Sequence, residues 1–227
     1  MEAAFWHGVW ERNTIGFHQD SIHPFLSGAL EKHLLQDKIA RKSKSDLQRA
    51  VFVPLCGKSL DMFWWAERAK VVGNELSGIA CRDFFTEQSL DYTSHQAGKF
   101  TVYSYEEITL YQGDFFSLKA DELPSFTYIY DRAALIALPE AMQQAYCDHL
   151  SSFIEDGTTL YLISVEFPEE ELKGPPFPIV SKDVESLFSG FDIELVAERD
   201  VPNKQFARRT FDVSFLKEKL YAIKKAL

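Results

Sequence analysis

Cysteine is scarce in this chain. Its three residues, Cys56, Cys81 and Cys147, are an odd number and form no CxxC pair. That usage speaks against a disulfide framework and for a reducing compartment. Positive charge is also short: Lys+Arg 24 face Asp+Glu 34, a net charge of -10. Nucleic-acid binders draw affinity from basic residues set against phosphates, so that class is not expected. The acidic excess reads as a solubility feature. No window approaches the roughly 20 apolar residues of a membrane span. The opening MEAAFWHGVWERN lacks the basic-then-apolar order of a secretory signal. A cytoplasmic protein without membrane attachment, monomeric by default, is expected.

Several catalytic signatures are missing too. There is no GxSxG elbow, no HExxH pair and no complete GxxxxGK[ST] loop; CGKS at 56–59 supplies only the end of the last. His7, His18, His23 and His33 gather near the start, but their spacings match no zinc pattern and no metal site is expected. Cys56 near a helix start has no evident base beside it in sequence, so packing is its simplest role.

What is present is hydrophobic: 46% of the residues, with 19 Phe and 4 Trp, enough for a sizeable core. Residues 1–30, rich in aromatics and histidine, read as one or two helices packed over the rest, and RKSKSD at 41–46 reads as a loop. RAVFVPL is a buried strand, KSLDMFWWAERA a helix with Leu60, Phe63 and Trp64 on one face, KVVGNEL a second strand, and Ile79–Gln88 a second helix. That alternation is the βαβ pattern of a parallel sheet. Runs around Phe100–Tyr103 and Ile108–Tyr111 suggest a hairpin whose second arm joins the sheet, and FTYIYDRAAL another buried strand. A helix begins near Pro139, with Met142, Tyr146, Leu150 and Phe153 at helical spacing. TTLYLISVEF, a loop holding KGPPFP, a helix at Lys182–Phe188 and two antiparallel closing strands complete one doubly wound α/β domain with a mixed sheet.

Ligands of open α/β sheets bind beyond the carboxyl ends of the strands, where strand order reverses. The predicted strand ends carry Pro54-Leu55-Cys56-Gly57-Lys58, Asn74-Glu75-Leu76, Gly113-Asp114-Phe115 and Asp131-Arg132. Glu75 lies eighteen residues beyond Gly57, the interval at which a carboxylate accepts from ribose hydroxyls. Asp114 and Phe115 suit an adenine, carboxylate or backbone for its edge and a ring for its face. Glycine is missing where a dinucleotide would need it: Leu55 and Cys56 carry side chains in the turn, so a pyrophosphate fits poorly. An adenosyl ligand without phosphate needs less, and S-adenosylmethionine fits. Taken singly, Glu75 reads equally as an N-cap or surface acid, Asp114 as a turn residue, and Arg132 as an ion pair with Asp131.

VFVPLCGKSLDMFWWAERAKVVGNELS, FFTEQSLDY, YIYDRAALIALP and KGPPF, in that order, resemble the thiopurine S-methyltransferase family, and WERNTIGFHQ resembles its N-terminal segment. The resemblance runs from about Trp6 to the C-terminal strand. It implies a class I methyltransferase: an α/β, doubly wound, Rossmann-like, mostly parallel seven-stranded sheet with an antiparallel C-terminal strand. It implies one domain over 1–227, with 1–30 as an aromatic lid, and S-adenosyl-L-methionine as cofactor, leaving S-adenosyl-L-homocysteine. The implied cofactor residues are Trp10, Leu55, Gly57, Glu75, Leu76, Asp114, Phe115 and Arg132. Phe17, Arg132 and Arg208 (or Arg209) are implied on the acceptor, and Asn74 departs from the aliphatic residue expected before the acid. The implied acceptors are small aromatic or heterocyclic thiols such as thiopurines, with selenium and tellurium compounds suggested by bacterial relatives. An NAD-using α/β enzyme and a non-catalytic adenosyl-binding protein are the competing readings. No side chain is expected as a dedicated acid or base, because orientation of thiolate and sulfonium alone can supply ~7–11 kcal/mol.

Overall fold

The computed structural model of the protein describes residues 3–41 and 49–226. Beyond Arg41, the loop expected at 41–46 lies outside the described residues. Helix α1 (Ala3–Glu11) is followed by a π-turn at Leu26–Leu30 and by α2 (Glu31–Arg41), a polar helix that the sequence reading did not anticipate. Strand β1 (Ala50–Val53), helix α3 (Asp61–Ala66), β2 (Lys70–Glu75) and α4 (Gly78–Thr86) form the expected alternation. Next come β3 (Thr93–Ala97), β4 (Phe100–Tyr105), β5 (Ile108–Gln112) and β6 (Tyr128–Arg132). Helix α5 (Glu140–Ser151), β7 (Thr159–Glu166), α6 (Ser181–Leu187) and β8 (Phe191–Asp200) follow. A small ribbon, β9 (Gln205–Phe206) with β10 (Arg209–Thr210), precedes the last strand, β11 (Lys217–Lys225).

The main sheet has nine strands in the order β3-β4-β5-β2-β1-β6-β7-β11-β8. Neighbours from β5 to β7 are parallel, and β11 runs antiparallel to both β7 and β8. The seven strands from β5 to β8 are therefore the expected mostly parallel sheet with its one reversed strand. The other two, β3 and β4, extend it at one edge, where β4 is the first arm of the expected hairpin. Strand β3 escaped notice because TSHQA is exposed along nearly its whole length and carries no apolar period.

Alternation along each central strand feeds two cores. Ala50, Phe52, Ile129, Leu160 and Leu162 point to the side covered by α5 and α6. Val51, Val53, Tyr128, Tyr130, Tyr161 and Ile163 point to the side covered by α3 and α4. Helix α3 is shorter than expected. Its buried side is Asp61, Met62, Trp64 and Trp65, not the Leu60/Phe63/Trp64 stripe, because the turn before it consumes Lys58 to Leu60. Of the 1–30 segment, only residues between Ala3 and His18 line the cavity described below. Leu26 and Leu30 are fully buried against the α3 side of the sheet.

Candidate active site

Strand order reverses between β1 and β6, since β1, β2 and β5 build one half of the sheet and β6 and β7 the other. A cavity of about 870 Å³ opens at the carboxyl ends there. All ten sequence-selected residues line it: Trp10, Phe17, Leu55, Gly57, Glu75, Leu76, Asp114, Phe115, Arg132 and Arg208.

The turn after β1 is built around Glu75. Leu55 (φ 45) and Gly57 (φ 53) both take left-handed backbone conformations, which fold the turn back over the end of β2. For Leu55 that conformation stores of order 1–3 kcal/mol of strain, a cost found at binding sites. Ala133 (φ 71), at the end of β6, is held the same way. Gly57 N–H donates to Glu75 Oε2 (2.9 Å) and Ser77 N–H to Oε1 (2.7 Å), so the buried carboxylate is locked in orientation. Burial outweighs these donors and raises its pKa to about 7. Leu76 N–H is a third backbone donor to it, and the carboxylate keeps lone-pair capacity for a further one. Further amides of the turn are engaged as well: Cys56 N–H donates to Asn74 O, Ser59 N–H to Cys56 O, and Asp61 N–H to Ser59 Oγ. These contacts leave fewer turn amides for a pyrophosphate. Trp10 closes over the turn, its ring 3.4 Å from where a Cβ on Gly57 would lie.

Asp114 uses its carboxylate on its own turn, accepting from Phe116 N–H and Ser117 O–H at 3.2 Å each. The turn-residue reading of this acid describes what its oxygens do, and it remains exposed at the cavity wall. The Phe115 ring is buried among Phe52, Tyr146 and Phe153, whereas Phe116 is 42% exposed and also lines the cavity. Arg132 is in an ion pair, but with Asp61 rather than Asp131. Its Nε donates to Asp61 Oδ2 (3.0 Å) and its Nη2 to Ser59 Oγ (2.9 Å). Neighbours on a strand face opposite ways, so Asp131 lies on the other side, where it accepts from Tyr146 O–H and two backbone amides. Asp61 also accepts from Tyr130 O–H and from the backbone of His23, tying the N-terminal segment to the cavity floor.

A further wall comes from the N-terminal segment and the β9–β10 ribbon. Phe17 meets Trp6 and Trp10 edge-on at 5.7 and 5.6 Å. Arg208 donates its backbone N–H to Gly16 O and pairs its guanidinium with Asp20, and Arg209 reaches Pro175 O. Sequence reasoning placed Lys58 at a strand end without giving it a role, and missed His18, Ser59, Ser77 and Asp61 around this site. Only Ser77 left a signal, as a hydroxyl N-cap between a strand and a helix, accepting from Ala80 N–H.

A family model described as thiopurine S-methyltransferase matches residues 1–226. The chain is 41% identical to a thiopurine S-methyltransferase of Shewanella baltica, with 99% of this chain and 100% of that one covered. It is 38% identical to one of Photobacterium profundum, with both chains covered completely. Among solved structures, an S-adenosylmethionine-dependent methyltransferase from Anabaena variabilis superposes with a TM-score of 0.65 at 14% identity, over 99% of this chain and 95% of that one. Magnesium protoporphyrin IX methyltransferase from Synechocystis PCC 6803, solved with bound S-adenosylhomocysteine, superposes at 0.58 and 13% identity, over 99% of this chain and 100% of that one. At these identities the structural likeness concerns the fold.

Proposed function

The chain belongs to the thiopurine S-methyltransferase family and is an S-adenosylmethionine-dependent methyltransferase, and from that membership we propose that its acceptor is the sulfur of a small aromatic or heterocyclic thiol such as a thiopurine. Selenium and tellurium oxyanions that carry a lone pair on the chalcogen are proposed as further acceptors. The protein is proposed to act as a monomeric single domain in the cytoplasm; no described helix is long and apolar enough to cross a membrane.

The observation that carries this reading is that one cavity has both kinds of wall. Glu75, Leu55 and Gly57 line it at the strand ends, and Trp10, which covers that turn, continues through Phe17 and Trp6 as an aromatic face. S-adenosylmethionine, when bound, supplies an electrophilic methyl group on a sulfonium. The proposed work of the chain is placement. Glu75 accepts from the ribose hydroxyls, and Leu76, Asp114 and Phe115 border the adenine. Gly57 leaves room beneath Trp10. Arg132, oriented by Asp61, holds the methionyl carboxylate or the acceptor. Phe17 and Arg208 hold a flat acceptor so that its sulfur meets the methyl in line, and the aromatic lid keeps water out.

The test is methyl-labelled S-adenosylmethionine offered with 6-mercaptopurine, thiophenols, selenite, tellurite, a catechol and a histidine-containing peptide, wild type beside Glu75→Gln. Transfer confined to thiols and chalcogens, weakened in the variant through a higher cofactor KM, is expected. Transfer only to the catechol or peptide would overturn the acceptor class, and cofactor binding without any transfer would leave a non-catalytic binder.

A further inference from the structure

We propose that His18 is a catalytic base of this enzyme, taking the proton of the acceptor thiol on a ring nitrogen. The inference rests on the thiol reading of the acceptor, and it departs from the expectation that no side chain serves as a dedicated base.

Of the histidines, His18 stands apart in what its ring does. It is 8% exposed and lines the cavity between the aromatic lid and Arg208. Among the described residues its ring makes no hydrogen bond; Asp20 Oδ1 lies 4.0 Å from Nε2, beyond hydrogen-bond length. The other buried or half-buried histidines are all engaged. His23 bonds Glu218, His33 bonds Tyr161 and Glu194, and His149 bonds Phe115 O. Its nitrogens are not among the sealed, unpartnered polar atoms of the interior, so the ring is open toward the cavity it lines. A ligand in the cavity is the partner the geometry offers.

The charges around His18 suit the task. Burial, Lys58 and Arg208 hold its pKa below the usual 6.5, against the opposing pull of Asp20 and Glu87. The neutral ring this favours keeps one nitrogen with a free lone pair able to accept a proton. The same Lys58 and Arg208 favour a thiolate, bringing the thiol's acidity toward that of the base. In the step, a His18 ring nitrogen takes the S–H proton and the acceptor sulfur keeps the electron pair. That sulfur then bonds the methyl carbon as the sulfonium–methyl bond breaks, leaving its pair on the donor sulfur. His18 returns the proton to solvent.

Two aromatic thiols test this, one acidic enough to be ionised at the assay pH, such as 4-nitrothiophenol, and one weakly acidic and still protonated there, such as benzyl mercaptan. His18→Asn is expected to lower kcat/KM for the weakly acidic thiol by about 10²-fold, to change the acidic one little, and to leave cofactor affinity intact. Raising pH toward the thiol's own pKa should restore the variant on the weakly acidic thiol alone. Equal losses on both thiols, or no loss on either, would overturn the role. Should the variant not fold, wild type carries the test. An acidic limb in kcat/KM set by His18 is expected with the weakly acidic thiol and absent with the ionised one, and identical profiles would refute the proposal. Wild type that methylates neither thiol sinks the acceptor reading instead, which keeps the two failures distinct.

Discussion

At the scale of single residues, Glu75 shows how a fold sets a carboxylate's chemistry. Its pKa of about 7, raised by burial, means that much of the free protein holds a proton there near neutrality. Relative to an unfolded carboxyl, this contribution to stability is fully present below about 4.5 and is lost as pH rises through about 7. Asp131, raised to about 6 for the same reason, works in the same direction. Ribose hydroxyls donate best to the ionised form, so cofactor binding takes the opposite sign. Affinity for S-adenosylhomocysteine is expected to rise between pH 6 and 8 with release of a proton, and Glu75→Gln should flatten that rise. Calorimetric titration in two buffers of different ionisation enthalpy measures the proton directly. Proton release that survives in Glu75→Gln would assign it to another group.

At the scale of elements, β2 and the turn after β1 fit together because Gly73 has no side chain. A Cβ there would lie 2.6 Å from Leu110 Cδ2 and 2.8 Å from Cys56 Sγ. Cys56 can thus pack against the strand and anchor the turn that presents Leu55 and Gly57. Gly73→Ala is expected to cost ~1–3 kcal/mol by overpacking and to weaken cofactor binding, read by thermal unfolding and by cofactor titration. Loss of stability with unchanged binding would separate the strand from the site. Much of this architecture is legible in sequence, since β1, β2 and β7 are buried on both faces and read as apolar runs. The strand-end rule then finds Glu75, Asp114 and Arg132. What it cannot find is set by distant packing. The Arg132–Asp61 pair spans 71 positions and His23–Glu218 spans 195. His18 leaves no local pattern either, because only its lack of a partner marks it.

At the scale of the whole molecule, the sheet and the cavity's outer wall are held by different forces. The central strands are tied by continuous ladders and two buried cores. The segment from Thr14 to Asp20 is held to the β9–β10 ribbon by one backbone bond, Arg208 N–H to Gly16 O, and by the exposed Asp20–Arg208 pair. Exposed pairs add little to stability, and regions with few buried contacts open first. Cofactor placed under Trp10 would brace this wall from within, through α1 and the Phe17 ring. Hydrogen exchange is therefore expected to be faster in 13–20 and 205–211 than in β1 and β7. S-adenosylhomocysteine should slow it there as well as at 54–57 and 75–77. Protection confined to the strand ends would mean that cofactor binds without the lid, leaving the acceptor alone to close it.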